Sequence, residues 1–235
     1  MIPKIIHQIW IGSNPAPSHC SGYAKIWKEL HPSWEYKLWT NKDIGSILSG
    51  APHNAVSAFN NHAIGKTYSA AACQADILRY LIVLKYGGVY VDIDFECFKP
   101  IDDLISGKNL IVASPHSAVH WICNGFFGAT PRHEVIKDTV IDLQPRARAH
   151  NGPGHLTKHF KNFISRDFLD AFEDFDERVN ELNAQGGKIK LIHPKYLFAK
   201  SNDSYACHRP LASWRSSSRK GQEDSVEEWP FKGSV

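Results

Sequence analysis

Residues 76–95 read DILRYLIVLKYGGVYVDIDF and decide the fold class of this 235-residue chain. Apolar residues recur at helical spacing up to the pair Gly87-Gly88, and this spacing predicts a helix over Ala70–Tyr86. Gly87 follows the last turn, where a left-handed residue commonly ends a helix. The alternating segment VYVDIDFE then predicts a strand whose side chains point to two faces in turn. One face of this strand carries Tyr90, Asp92, Asp94 and Glu96.

Asp92 and Asp94 share that face with no lysine or arginine between them, so their carboxylates repel each other unless a cation lies beside them. Oxygen ligands of this kind suit Mn²⁺ or Mg²⁺ bound together with a phosphate-bearing substrate. The alternative is the solvated face of an edge strand. Asp76 and Arg79 lie three residues apart on the preceding helix. They form either a local ion pair or a pair of sugar-hydroxyl ligands next to the acidic strand.

The run Asp76-x-x-Arg79 followed by Tyr86-Gly87-Gly88-x-Tyr90-x-Asp92-x-Asp94 resembles the sugar-binding region, with its DXD motif, of glycosyltransferase family 32. That family contains yeast-type mannosyltransferases and bacterial capsule or lipopolysaccharide sugar transferases. The spacing is also similar in the glucosyltransferase domains of large clostridial toxins. Residues 2–12 resemble the first strand of the family, and His208 with Ser213-Trp214 resembles its closing element.

The resemblance implies a metal site and a catalytic centre. Asp92 and Asp94 are the expected ligands of Mn²⁺ or Mg²⁺, and His208 is a third ligand because neutral imidazole binds Mn²⁺. The catalytic residues implied are Asp92, Asp94 and Arg79. Ser213 and Trp214 are expected to contact the diphosphate and to close over it as a lid that excludes water.

The resemblance also implies the residues that bind the donor. Trp10 is the expected stacking platform for the nucleobase. Asp76 and Arg79 are expected to contact hydroxyls of the donor sugar, and Tyr90 is a nearby orienting phenol. Asn124-Gly125 and Asn151-Gly152-Pro153 resemble elements that flank the sugar and the acceptor. Asn151 stands where the family usually has a small hydroxyl residue.

These features predict a metal-dependent glycosyltransferase that moves a hexose from a UDP- or GDP-linked sugar to a glycan or lipid-linked acceptor, and the resemblance implies that it retains the α configuration. No enzymic nucleophile stands out, so a front-face substitution assisted by the leaving phosphate is the expected mechanism. One alternative is a nucleotide-sugar hydrolase or nucleotidyltransferase that uses the same metal site. A non-catalytic glycan-binding protein is the other alternative, and it predicts no requirement for the two aspartates.

The resemblance implies a GT-A-type fold, and the alternation of strands with helices predicts a three-layer α/β/α sandwich with a mostly parallel, Rossmann-like sheet. We expect one domain over residues 1–214 and a polar tail over residues 215–235. Residues 155–185 show aromatic residues every three or four positions, which predicts an amphipathic helix or a pair of helices. This segment packs against the sheet, borders the acceptor site or docks to a membrane surface.

Composition excludes several classes of function. The net charge of +3 is too small to indicate nucleic acid as a partner. No apolar run reaches the roughly 18 residues of a membrane span, and the first residues lack the features of a signal peptide. The 5 cysteines are scattered and form no Cys-x-x-Cys pair, which favours reduced thiols. A cytoplasmic location is therefore expected, with a peripheral membrane contact left open.

Overall fold

The computed structural model describes residues 1–13, 15–61, 70–115, 121–145, 151–164, 181–184 and 187–210. The strands are β1 (Ile5–Ile9), β2 (Glu35–Trp39), β3 (Gly88–Val91), β4 (Phe95–Cys97), β5 (Leu110–Ala113), β6 (Cys123–Ala129), β7 (Glu181–Ala184), β8 (Gly187–Ile192) and β9 (Ala206–His208). The α-helices are α1 (Ser18–Leu30), α2 (Ile44–Leu48), α3 (His53–Asn60), α4 (Ala70–Tyr86), α5 (Asp102–Ile105), α6 (Glu134–Ile141) and α7 (Pro153–Phe163).

Seven of these strands form the central sheet, in the order β2-β1-β3-β6-β5-β8-β7. β1 is parallel to both β2 and β3, and β5 is parallel to β8. β6 is antiparallel to β3 and β5, and β7 is antiparallel to β8. Five of the seven strands therefore run in one direction, which confirms the predicted, mostly parallel sheet.

A separate hydrophobic cluster covers each face of this sheet, because successive side chains of a strand point to opposite faces. The helices α2, α3, α4, α6 and α7 supply the first cluster, which includes Tyr90. The helices α1 and α5, with β4 and β9, supply the second, which includes Val89 and Val91. The three-layer α/β/α arrangement predicted from the sequence is therefore confirmed.

The glycine pair after α4 has the role that the sequence predicts. Gly87 and Gly88 have φ angles of 67° and 90°, in the left-handed region that glycine adopts most readily. A Cβ atom at Gly87 would lie 2.6 Å from Cδ of Pro131, and one at Gly88 would lie 2.7 Å from the carbonyl oxygen of Ile5. Glycine is required at both positions, and the turn leads α4 directly into β3.

The prediction of one continuous strand over VYVDIDFE is wrong. β3 ends at Val91, and residues 92–94 form a turn in which the Phe95 amide donates to the Asp92 carbonyl at 3.2 Å. The Asp92 amide donates to the carbonyl of Gly125 in β6 at 2.8 Å. Beyond the turn, β4 leaves the central sheet and pairs with β9 in a two-stranded sheet. The two aspartates therefore lie in a turn and not along a strand face.

The prediction for residues 155–185 is confirmed only in its first part. Helix α7 buries Leu156 and Phe160 against the first cluster, which is the packing role considered for this segment. Residues 181–184 form strand β7, so a helix extending to residue 185 is wrong there. Residues 165–180 and the predicted tail at 215–235 lie outside the described residues. In the described part of the chain, no helix has the length and apolar character needed to cross a bilayer.

Candidate metal and sugar-binding site

The predicted site residues gather at the carboxyl ends of β1 and β3. Asp92 follows β3 directly and Trp10 follows β1 directly, and these two strands are parallel neighbours. The Gln8 amide Nε2 donates to the Asp92 carbonyl at 3.2 Å and so connects the two strand ends. Ligands of open α/β sheets bind at this edge. The stacking role of Trp10 stays a prediction.

The three predicted metal ligands lie together. Ligand atoms of Asp92, Asp94 and His208 all lie within 4.8 Å of one another. His208 reaches this position because β9 pairs antiparallel with β4, which places it opposite Phe95. Its ring stacks on the Phe95 ring at 4.5 Å between centroids. Two carboxylates and an imidazole are a donor set that fits Mn²⁺, so the residues present suit the expected metal.

The electrostatics of this cluster favour a positive charge. Nε2 of His208 lies 3.3 Å from Oδ1 of Asp94. Burial alone lowers the pKa of His208, but the hydrogen bond and charge of Asp94, with the charge of Asp92, raise it above its usual value. The two carboxylates therefore favour a positive charge at this position.

Arg79 is the centre of a buried network behind the aspartate turn. Its guanidinium contacts Oδ1 of Asp76 at 3.1 Å and Oδ1 of Asp92 at 3.2 Å. It also donates to the carbonyl of Asn124 at 2.8 Å. Only 6% of Arg79 is exposed, and burial opposes its charge, yet the carboxylate of Asp92 raises its pKa above the usual range. The local ion pair considered from the sequence is therefore present, and its buried arginine joins it to the DXD turn.

Tyr90 and Gly125 fix the orientation of Asp92. The Tyr90 hydroxyl donates to Oδ1 of Asp92 at 2.6 Å, and the Arg79 guanidinium lies 4.6 Å from the centre of the Tyr90 ring. Burial raises the pKa of Tyr90 well above its usual value, so the phenol remains a donor. A Cβ atom at Gly125 would lie 2.5 Å from Oδ2 of Asp92. Only glycine leaves room for the carboxylate on that side.

Asn124 connects helix α4 to strand β6 within this network. Its amide Nδ2 donates to Oδ1 of Asp76 at 2.8 Å and to the hydroxyl of Tyr80 at 3.2 Å. Tyr80 in turn donates to the Gly152 carbonyl at 3.2 Å, which joins the Asn151-Gly152-Pro153 element to the site. Burial raises the pKa of Asp76, while Arg79 and Asn124 oppose that rise. Tyr80 was missed from the sequence, although its spacing of four residues from Asp76 places both on one helix side.

Other residues differ from their expected roles. The Asn151 side chain accepts from the amide of Gln144 and donates to its carbonyl, both at 3.1 Å, so its side chain closes a loop. Glu96 accepts from Nε and Nη2 of Arg209 at 3.1 and 3.0 Å. Arg209 thereby fixes β9 against β4 beside the metal ligands. Residues 206–208 form strand β9, and Ser213 and Trp214, the residues predicted to form a lid, lie outside the described residues.

Comparison with known proteins identifies this region. Residues 17–111 match the family described as glycosyltransferase sugar-binding region containing DXD motif. The matched residues include helix α4 with Asp76 and Arg79, and the turn with Asp92 and Asp94. Inositol phosphoceramide mannosyltransferase 1 of Schizosaccharomyces pombe is 31% identical over 145 residues, which cover 60% of this chain and 43% of that protein. The uncharacterized glycosyltransferase L373 of Acanthamoeba polyphaga mimivirus is 26% identical and covers 91% of this chain and 84% of its own length.

A solved structure shows the same fold. The PaToxG glycosyltransferase superposes with a TM-score of 0.53 at 18% sequence identity. The superposition covers 72% of this chain and 74% of the PaToxG chain. This likeness assigns the GT-A-type fold and nothing beyond it. The chain spans 37% to 58% of the length of the three inositol phosphoceramide mannosyltransferases of Schizosaccharomyces pombe that it matches.

Proposed function

We propose that this chain is a metal-dependent glycosyltransferase that transfers a hexose, with mannose as the first candidate, from a nucleoside diphosphate sugar. The observation that carries the proposal is the cluster of Asp92, Asp94 and His208 beside the buried network of Arg79. The names of the yeast relatives support mannose as the sugar and a lipid-linked acceptor.

The role of the metal site is to stabilise the negative charge that develops on the leaving group. Cleavage of the sugar–phosphate bond leaves a nucleoside diphosphate, whose growing negative charge needs stabilisation in the transition state. A divalent cation held by Asp92, Asp94 and His208 supplies that stabilisation as a Lewis acid. The chain itself contributes preorganisation, because Tyr90 and Arg79 hold the Asp92 carboxylate in one orientation before any ligand arrives.

The donor sugar is assigned to the side of Asp76. This carboxylate is 21% exposed, so a sugar hydroxyl can reach it, while Arg79 and Asn124 hold it in place. Asp76 and Asp92 each contact the Arg79 guanidinium, which reduces their nucleophilicity. We therefore favour a front-face substitution with retention of the α configuration over a double displacement through a covalent sugar intermediate.

A binding screen followed by a transfer assay tests the proposal. Nucleoside diphosphates and their sugars are screened with Mn²⁺ by thermal shift, because a ligand of the native state raises the melting temperature. The donor so identified is then incubated with and without a membrane lipid extract as a source of acceptor. We expect the sugar to appear in the lipid fraction at a rate that exceeds hydrolysis. Equal sugar release with and without acceptor would instead support a nucleotide-sugar hydrolase.

A further inference from the structure

A second group of metal-ligating side chains lies where α6 meets α7. Asp142 follows the last residue of α6, and His155 and His159 lie four residues apart on α7. Residues four apart lie on one side of a helix, so both rings face the end of α6. Ligand atoms of these three residues all lie within 4.8 Å of one another. None of them belongs to the DXD cluster.

The distances within this group suit a tetrahedral metal ion. Oδ2 of Asp142 lies 3.1 Å from Nε2 of His159 and 4.0 Å from Nδ1 of His155. Nitrogen and oxygen ligands of Zn²⁺, each about 2.1 Å from the metal, lie about 3.4 Å apart at tetrahedral angles. Small rotations of the side chains would therefore place all three atoms on one ion.

His155 is already oriented as a ligand. Its Nε2 atom lies 2.8 Å from the carbonyl oxygen of Thr139, which can only accept a hydrogen bond. Nε2 therefore carries the proton, and Nδ1 presents its lone pair towards Asp142. Metal-binding histidines generally donate their other ring nitrogen to a carbonyl or carboxylate in this way. The ring of His155 is 7% exposed and packs edge-to-face on His159 at 4.9 Å, so its orientation is fixed.

We propose that Asp142, His155 and His159 bind one zinc ion, with water in the fourth position. Two histidines and one carboxylate are a recognised Zn²⁺ donor set, and three protein ligands leave one position open. Asp142 is 34% exposed, which gives water and the incoming ion access to this position. The argument for zinc binding does not rest on the proposed sugar transfer, because none of its ligands belongs to the DXD cluster.

Lys158 forms an ion pair with Asp142 when zinc is absent. Its Nζ atom lies 2.7 Å from Oδ2 of Asp142, and 57% of its side chain is exposed. Exposed ion pairs of this kind contribute little, so zinc can displace the ammonium group into water at small cost. The lysine therefore competes with the metal for the same carboxylate oxygen.

A zinc ion here would connect two helices on either side of the Asn151-Gly152-Pro153 element. Gly152 accepts a hydrogen bond from Tyr80, which also contacts Asn124 in the sugar-binding network. Tyr80 and His155 are neighbours, with ring centroids 6.4 Å apart. Zinc would therefore cross-link α6 and α7 and hold this element against Tyr80, next to the sugar-binding network.

Zinc titration in the presence of a chromophoric chelator tests the site. The Asp94→Asn variant removes one ligand of the DXD cluster and serves as the background. We expect it to bind one equivalent of Zn²⁺ and to gain thermal stability from it. Adding His159→Ala should weaken zinc binding by more than the roughly 10–100-fold typical of changes around a metal site. Adding His19→Ala instead, an exposed histidine of α1, should leave zinc binding unchanged.

Lys158→Met gives a second, independent result that does not depend on how His159→Ala folds. Removal of the competing ammonium should tighten zinc binding several-fold, because Asp142 then has no other cation at 2.7 Å. Zinc affinity that is equal with and without His159→Ala would overturn the proposal. A Lys158→Met variant that binds zinc no more tightly than the background would overturn it as well.

Discussion

Gly125→Ala is the perturbation whose effect is best defined by the structure. The added Cβ atom would lie 2.5 Å from Oδ2 and 3.2 Å from Cγ of Asp92. Ordinary contact begins at 3.4 Å, so the carboxylate must move by roughly 0.9 Å. Such a movement disrupts its hydrogen bond from Tyr90 and its contact with Arg79. It also displaces one of the three atoms available to the metal.

The expected cost falls mainly on activity. A displacement of about 1 Å in a catalytic group commonly costs about 100-fold in rate, or about 2.7 kcal/mol of transition-state stabilisation. The fold should survive, because the atom that must move is the end of a side chain. Weakening a hydrogen bond to a charged group costs about 1.5–3 kcal/mol, and replacing glycine within a strand offsets about 0.5–1 kcal/mol of that. We expect a net loss of about 1–2 kcal/mol in the free energy of unfolding.

The assay pairs donor turnover in Mn²⁺ with denaturant unfolding of the same preparations. Gly22→Ala is the matched control, because Gly22 lies in α1 with nothing within 4 Å of its added Cβ atom. It should keep full turnover and gain about 0.5–1 kcal/mol of stability. A folded Gly125→Ala enzyme with the turnover of the wild type would refute the assigned role of Asp92.

Two further predictions concern pH and stereochemistry. Burial lowers the pKa of His7 to about 4, and its neutral ring accepts from Nε1 of Trp39 and contacts the Gly87 carbonyl. Below about pH 6.5 the unfolded state therefore binds a proton at His7 that the folded state does not bind. The contribution of neutral His7 to the free energy of unfolding is complete above that pH, and it falls towards pH 4 by at most about 1.4 kcal/mol per pH unit. Urea unfolding of wild type and His7→Gln should show a stability difference that narrows from about pH 7 to about pH 5, and a constant difference would contradict this. For stereochemistry, proton NMR of fresh product from an α-linked donor should show the α anomer, and a β product would exclude front-face substitution.

The elements that the sequence predicted best depend on local signals. Helix α4 has the predicted bounds, because its apolar residues recur at helical spacing and Gly87 must adopt a left-handed conformation after it. The short element Asn124-Gly125, singled out by its resemblance to the family, lies inside strand β6, and both residues contact the aspartate network. Patterns of this kind are contained in a window of about a dozen residues, so the element can be predicted without knowledge of the rest of the chain.

The elements that were missed depend on distant residues. The alternation in VYVDIDFE continues past Val91, but the Asp92 amide bonds to Gly125 and the chain turns. No local feature of the sequence indicates that β4 pairs with β9, because the residues of β9 lie more than a hundred positions later. Glu96 was expected on one strand face with the two aspartates, but it pairs with Arg209, which is equally distant in the sequence. Only the resemblance to the family indicated that His208 would lie beside the two aspartates.

Turnover of the nucleoside diphosphate sugar by wild type and Asp94→Asn, each with Mn²⁺ and with chelator, tests the central claim most directly. Asparagine keeps the shape of Asp94 and removes one charge from the metal cluster, so the fold should lose little stability. We expect transfer by the wild type to require the metal ion and to be restored when Mn²⁺ is added back. We expect Asp94→Asn to show little transfer under either condition. Full activity of the wild type in chelator, or an active Asp94→Asn enzyme, would contradict the assignment of this cluster as the metal site.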